Sequence, residues 1–409
     1  MAGRDVMADR IAKGEEAARN GILAGMRGAL GALGRFWVAY GMWAGALVLI
    51  AFVASVMAIG WLRPVHAWDM VAYLGAALKP EFPDPQALHG HVWETVRLAA
   101  TPDHFLQLSE GDAYRTRQFT DPHAFHSMLG MYEVKWLYVK LLAVLLPLTG
   151  PVHAAFAINL GAAVAFTGVL LWWLRSVRML NLAPLVVILL VLARFPAMAM
   201  AESPDFLTSV FVLAGLMALD RDKILAGCAA LVLAVATRPD NIVLIAGLAG
   251  AFWLWKQRAW PWLLGALGAG FLAYAGIQAV SDHPGWWPHL WFSTYQIQET
   301  MEFFQPDFSV RVYLTGFAWN LVRAAFENSW LGLYAGGLCV WALAHAGGLR
   351  FGPARTALIG AALGAIALKF MIFPLHDGRT YFPILFPALL LMLAELRDRA
   401  RLRAGAVDG

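Results

Sequence analysis

From Phe36 almost to the C-terminus the chain repeats one pattern: an apolar segment, then one or more Lys or Arg residues. About 20 mostly apolar residues in a helix cross the hydrocarbon core of a bilayer, so the repetition predicts an all-α polytopic membrane protein. Composition agrees, with 60% hydrophobic and 14% charged residues, whereas a soluble domain carries about 25% charge. The mean hydropathy is +0.60. The formal net charge of +4 sits mostly in short connections, which points to membrane topology and not to a nucleic-acid partner. Both cysteines, Cys228 and Cys339, lie inside apolar segments, so they read as small core residues and not as a disulfide framework.

The positive-inside rule orients the segments. Residues 1–35 mix Arg, Lys, Glu and Ala, too long and too acidic for an ordinary signal-peptide start. They are expected to form a cytoplasmic arm, partly helical at the membrane surface or else disordered. The first span, Phe36 to Trp61, then leads outward to a long external loop, 63–151. In that loop Trp136 to Leu148 is short and holds Lys140, while Val152 to Leu174 is full length and ends on Arg175 and Arg178. If both crossed, that basic pair would lie outside, so the shorter piece is expected to be interfacial or half-buried. Leu182 to Phe195 then runs outward and Phe206 to Leu219 returns to Arg221 and Lys223. Ile224 to Ala236 goes out to Arg238, and Ile242 to Trp255 comes back to Lys256 and Arg258. Trp262 to Val280 leads to a second external region, 281–329, in which Arg311 to Phe326 is expected to be an amphipathic interfacial helix. Trp330 to Ala346, Thr356 to Phe373 and Tyr381 to Leu396 complete about ten spans. The expected layout is thus a transmembrane domain over 36–396 and a cytoplasmic basic tail over 397–409.

This register puts Asp69, Glu202, Asp205, Arg238, Asp240, His376, Asp377 and Arg379 on one side, the outer one. Asp69 stands just beyond the first span, where a carboxylate beside apolar surface loses hydration and suits a general base; a helix N-cap is the equal alternative. Seven of the eleven histidines fall between Arg63 and His153. The pairs His89/His91 and His123/His126 have spacings that one metal ion accepts, yet no compact zinc signature is present, and a solvated loop explains them more simply. Glu202-Ser203-Pro204-Asp205 is a turn whose carboxylates either serve function or rest among headgroups. Arg238 either pairs with Asp240 across Pro239 or offers its guanidinium fork to a phosphate. The last external turn, His376-Asp377-Gly378-Arg379, gathers groups able to grip a phosphate leaving group, and an interfacial Arg/Tyr anchor is the plain alternative. The aromatic stretch Trp286 to Tyr295, with His289 inside it, reads most simply as an interfacial belt, with a groove for a lipid chain or a stacking face for a sugar as the alternative.

In order and sidedness these features resemble the GT-C superfamily of integral membrane glycosyltransferases. The resemblance spans Phe36 to Leu396. It rests on Asp69 with Tyr73 in a long first external loop, the run Tyr132 to Gly150, Glu202 to Asp205, Thr237-Arg238-Pro239-Asp240, and Arg379 and Tyr381 with Pro383 and Pro387. It implies interfacial helices in the first loop, a cavity between loop and membrane, and lateral entry of a polyprenyl-phosphate-linked sugar. It further implies inverting transfer to a hydroxyl of a lipid, glycan or protein acceptor on the periplasmic face of a bacterial inner membrane, with both termini cytoplasmic. Asp69 would be the base; Arg379, His376 and Arg238 would bind the donor phosphate; Tyr73, Glu202 and Asp205 would meet acceptor or sugar. Where many members carry a second acidic residue next to that aspartate, this chain has Met70. That departure favours direct base catalysis and no metal site, with a divalent metal completed by the loop histidines as the alternative. The competing classes are a transporter or flippase for a lipid or amphiphile, and a non-catalytic membrane assembly subunit. Against transport, few charges lie within the spans apart from Lys369 and the near-terminal Arg194, and no inverted repeat is evident.

Overall fold

The computed structural model describes residues 2–64 and 67–407, and the side chains of all of these except 2–18, 151–152 and 403–407. His66, counted above among the loop histidines, lies outside the described residues, as do the side chains of Arg10, Lys13 and Arg403. Among the described residues the chain is all-helical, without strands. Four helices, Arg19–Leu62, His153–Ser176, Trp260–Val280 and Pro353–Ile372, are long and apolar enough to cross a membrane. Five further apolar helices are shorter, among them Trp136–Thr149, Ile224–Thr237 and Trp330–Ala346.

The short helices have local causes. Leu180–Leu192 ends because Arg194 adopts a left-handed backbone (φ 60°) immediately before Phe195-Pro196, so the expected Leu182–Phe195 span is cut and restarts as Phe195–Met200. Trp136–Thr149 carries Pro147 and stops at Gly150 (φ 80°), which only a residue without a Cβ adopts at low cost; Pro151 then opens the next helix. The expected surface arm is instead continuous with the first span: Ala2–Leu62 is one helix. Nothing within residues 19–62 interrupts it, since the stretch has no proline and its glycines weaken a helix without breaking it.

The long segment after the first helix is a small helical layer with its own core of Val71, Leu88, Trp93, Phe125 and Met128. Its helices begin on side-chain caps that the sequence announces. Asp84 before Pro85, Thr101 before Pro102 and Asp121 before Pro122 each accept a backbone N–H of the first turn. The second external region clamps this layer. Gln118 Nε2 donates to the Glu299 carbonyl at 2.6 Å, Ser127 Oγ accepts from the Met301 N–H at 3.0 Å, and Lys79 Nζ holds Glu133 and Asp282, each at 2.6 Å.

Beneath it, the main core runs through Phe166, Trp173, Phe195, Phe206, Leu216, Leu248, Leu358, Phe382 and Phe386. The far pole is closed by a buried ion network. Arg355 Nε meets Asp220 Oδ1 at 2.7 Å, and its Nη1 meets Glu395 Oε2 at 3.1 Å and Asp398 Oδ2 at 2.9 Å, while Trp173 Nε1 donates to Asp220 at 2.9 Å. Three helix ends that the charge register assigns to one side, those at Ser176, Asp220 and Pro353, therefore meet the Phe382–Val407 helix at Glu395 and Asp398. Asp69, Asp205, Arg238 and Arg379 gather at the opposite pole.

Close helix contacts rest on small residues. At Gly45 an added Cβ would stand 2.1 Å from the Leu180 carbonyl oxygen, a backbone atom with little room to yield. Gly161 has nothing within 4 Å. Gly45→Ala is expected to cost about 1–3 kcal/mol and lower the thermal unfolding midpoint in detergent, while Gly161→Ala leaves it unchanged or slightly raised.

Candidate functional site

The polar pole is assembled from helix starts and ends. Asp69 lies in the first turn of Trp68–Leu78, whose N-cap position is Ala67, so it is not the cap. Its Oδ2 faces Arg379 Nη2 at 3.4 Å. Asp377 sets that orientation: Oδ1 accepts the Arg379 backbone N–H at 3.0 Å and Oδ2 accepts Nε at 2.8 Å. The guanidinium is thereby fixed from behind, and Nη2 points to Asp69. Both partners are partly exposed, with side-chain exposures of 29% and 32%, so an aqueous ligand can compete for them.

Deeper in, Pro204 starts the helix bearing Asp205, and Pro239 ends the run of α-helix at Arg238, which has extended backbone. Arg238 Nη1 binds Asp205 Oδ1, and its Nη2 binds Asp240 Oδ2 at 3.3 Å. Ser203 Oγ donates to the other Asp205 oxygen at 2.9 Å. Lys369 Nζ reaches Asp240 Oδ2 at 2.9 Å and the Thr380 carbonyl at 2.6 Å. Burial opposes the charge on Arg238, but Asp240 and Asp205 outweigh it and hold its pKa above the ordinary range. Burial likewise opposes the Asp240 charge, and Arg238 with Lys369 outweighs it and holds the carboxyl well below the usual carboxylate range. Arg238 thus does both things the sequence left open: it pairs with Asp240, and it forms part of a cationic wall.

That wall belongs to a cavity of about 390 Å³. Lys135, Arg238 and Lys369 face it with Asp240 as the counter-charge, and His283 and His289 line another side. The rest is apolar, including Val243, Ile372 and Phe373, with Phe271, Tyr274 and Trp286 exposed at its rim. Burial, then repulsion by Arg238, lowers the Lys135 pKa to about 8. Its ammonium is donated to the Met131 carbonyl. Three cations against one carboxylate leave this end of the cavity suited to an anion. A second cavity, of about 280 Å³, lies along Arg379 and Asp377 with Ala67, Arg194 and Ser329.

Not every expected site residue joins this cluster. His376 turns away: its Nδ1 bonds to Asn320 Oδ1 at 3.0 Å and its Nε2 lies 3.7 Å from Glu327. Asn320 spends its own N–H groups on the Thr294 and Gly316 carbonyls, so His376 fastens the Val310–Phe326 helix and lines neither cavity. Tyr73, expected at the acceptor or sugar, is core: its ring packs edge-on between Tyr132 and Tyr138, each 5.0 Å away. Burial raises its phenol well above the usual value. Glu202 is buried near Tyr138, and Asp205 is consumed by Arg238. Of the loop histidines, His89 bonds to the Gln118 carbonyl at 3.1 Å and His91 stacks on Phe82. Among the described residues no three His, Cys, Asp or Glu are grouped to hold a metal ion.

Lys135, Lys369, His283 and His289 were not singled out as site residues in the sequence. Lys369 left a signal as a lone charge inside an apolar span, and His289 left one as a member of the aromatic stretch Trp286 to Tyr295.

Asp205 is 5% exposed and Arg238 12%, so removing one partner strands a buried charge. Asp205→Leu is expected to cost about 3–5 kcal/mol, and the double variant Asp205→Leu/Arg238→Met to recover most of it, read as unfolding midpoints in detergent. No known protein family, no curated protein and no solved structure matches the chain.

Proposed function

We propose that the chain is a GT-C-type inverting glycosyltransferase that moves a sugar from a polyprenyl-phosphate donor to an acceptor hydroxyl. One observation carries the reading: a cavity with a buried cationic end, Lys135, Arg238 and Lys369, whose remaining walls are apolar and whose rim bears Phe271, Tyr274 and Trp286. A ligand matching it has a phosphate on a greasy chain. The phosphate takes the cationic end, and the chain leaves past the rim aromatics toward lipid. In this reading the helices make about ten passes, both termini are cytoplasmic, and the polar pole faces the periplasm of a bacterial inner membrane.

The chemistry follows from the charges. Breaking the bond between the sugar anomeric carbon and the phosphate oxygen leaves its electron pair on the phosphate, where Arg238, Lys369 and Lys135 stabilise the growing charge. The acceptor hydroxyl approaches from the side of Ala67 and Arg379 and gives its proton to Asp69 as its oxygen attacks the opposite face of the anomeric carbon. Arg379, held by Asp377, fixes the direction of the Asp69 carboxylate. A general base in this role is worth about 10²–10⁴-fold in rate. A transporter is less well supported, because the buried charges collect at the two poles instead of along a path through the bundle.

Asp69→Asn, reconstituted with a radiolabelled polyprenyl-phosphate sugar and acceptor extract, is expected to bind donor normally and lose roughly 10²–10⁴-fold in transfer. Near-normal turnover would remove Asp69 from the chemistry, and no transfer by the unaltered protein with any such donor would remove the transferase. Donor affinity carries a pH signature. Lys135 is a full cation only below its folded-state pKa of about 8. Its attraction is therefore present below that value and lost as pH rises through it. The donor Kd should increase between about pH 7 and pH 9, and Lys135→Gln should flatten that rise.

A further inference from the structure

His283 and His289 stand in the cavity wall opposite no catalytic role so far assigned, and their hydrogen bonds fix which nitrogen carries each proton. The Gly285 backbone N–H donates to His283 Nδ1 at 3.2 Å, so that nitrogen is an acceptor and carries no hydrogen. The proton of neutral His283 is therefore on Nε2. Nε2 lies 2.9 Å from His289 Nδ1, so it donates and His289 Nδ1 accepts. Neutral His289 must in turn carry its proton on Nε2, the one ring nitrogen not engaged with His283. The chain of bonds runs one way, from the Gly285 amide through two imidazoles, and ends in an N–H donor on a cavity-lining residue.

Both rings are neutral. Burial, then Lys135, lowers His283 to about 4, and burial, then Lys135 and His283, holds His289 well below the usual imidazole value. The charged and titratable groups facing the pair from the other elements are Lys135, Arg238, Asp240 and Lys369, with Tyr274 and Tyr381. The first, second and fourth of these discourage a third proton on the pair. Gly285 itself has φ 99°, which permits the loop to turn its amide onto His283, and the edge of the Phe373 ring steadies His289 with centroids 5.1 Å apart.

We infer that His289 is a further ligand-binding residue, offering a neutral Nε2–H donor to a phosphoryl oxygen of a prenyl phosphate in the cavity, and that His283 is the positioning residue that holds it in that tautomer. The inference rests on the donor-phosphate reading of the cavity. A neutral donor adds direction without adding to the crowd of positive charge, so the phosphate is oriented by an N–H as well as held by cations.

Two measurements on the full chain in lipid nanodiscs test it. In ¹⁵N-histidine spectra of the unaltered protein, both rings should show the Nε2–H form, and His289 Nε2 should shift when a C15 prenyl monophosphate is added. An Nδ1–H form at His289 overturns the inference without recourse to any variant. In binding, His289→Phe and His283→Phe should each weaken the prenyl monophosphate roughly ten- to hundred-fold. His283→Gln, whose amide can still donate to His289 Nδ1, should restore most of the affinity. Unchanged affinity in His289→Phe overturns the inference while leaving the cavity reading intact, whereas failure of the unaltered protein to bind prenyl monophosphate overturns both. Inorganic phosphate is the second arm: equal affinity for it would overturn the lipid phosphate as ligand.

Discussion

A charge taken out of water into an apolar bundle costs several kcal/mol unless an opposite charge and hydrogen bonds replace its hydration. That constraint organises this protein at both poles. At one, Arg355 gathers Asp220, Glu395 and Asp398, so that helices distant in sequence end at a common level. At the other, Asp205, Arg238, Asp240 and Lys369 alternate in sign across three helix termini. The far network is closed on itself. The near one is not, because Lys135, Arg238 and Lys369 outnumber Asp205 and Asp240 beside the cavity. That surplus is what distinguishes the two networks.

The surplus also explains why the first external loop is built as it is. Its helical layer carries Asp69 on the Trp68–Leu78 helix and Lys135 in the turn before Trp136–Thr149, and both reach the polar pole only if the layer sits squarely on the bundle. The clamp from the second external region, through Lys79, Ser127 and Gln118, holds it there. The same region supplies His283 and His289. The cavity is therefore completed by four separate parts of the chain: the loop layer, the turn at Arg238, the stretch bearing His283 and His289, and the segment around Lys369 and Tyr381.

Much of this was legible in the sequence because its causes are local. Basic residues at alternate ends of apolar runs separated the two poles. Arg238-Pro239-Asp240 marked a charged turn, whereas the Asp-Pro and Thr-Pro pairs that open the loop helices, though equally local, were not read as helix starts. Boundaries failed where the backbone departed from helix for reasons no periodicity records, as at Arg194 with its left-handed conformation. Roles failed where they depend on tertiary direction. His376 and Arg379 are three residues apart, yet Asp377 aims one toward Asp69 while Asn320 draws the other away. Tyr73 shares a helix with Asp69 and is buried in the aromatic core. His283 and His289 are bonded to each other, and a glycine turns its amide onto the first ring, a relation their spacing does not announce.

The central claim is that the cationic end of the 390 Å³ cavity holds the phosphate of a lipid-linked sugar. Cryo-electron microscopy of the protein in nanodiscs with a non-hydrolysable prenyl-phosphonate sugar tests it directly. The account predicts phosphonate density among Lys135, Arg238 and Lys369, the prenyl chain passing Phe271 and Tyr274, and the sugar directed toward Asp69. Density for the phosphonate elsewhere, with that cavity filled only by water or by side chains, would contradict it.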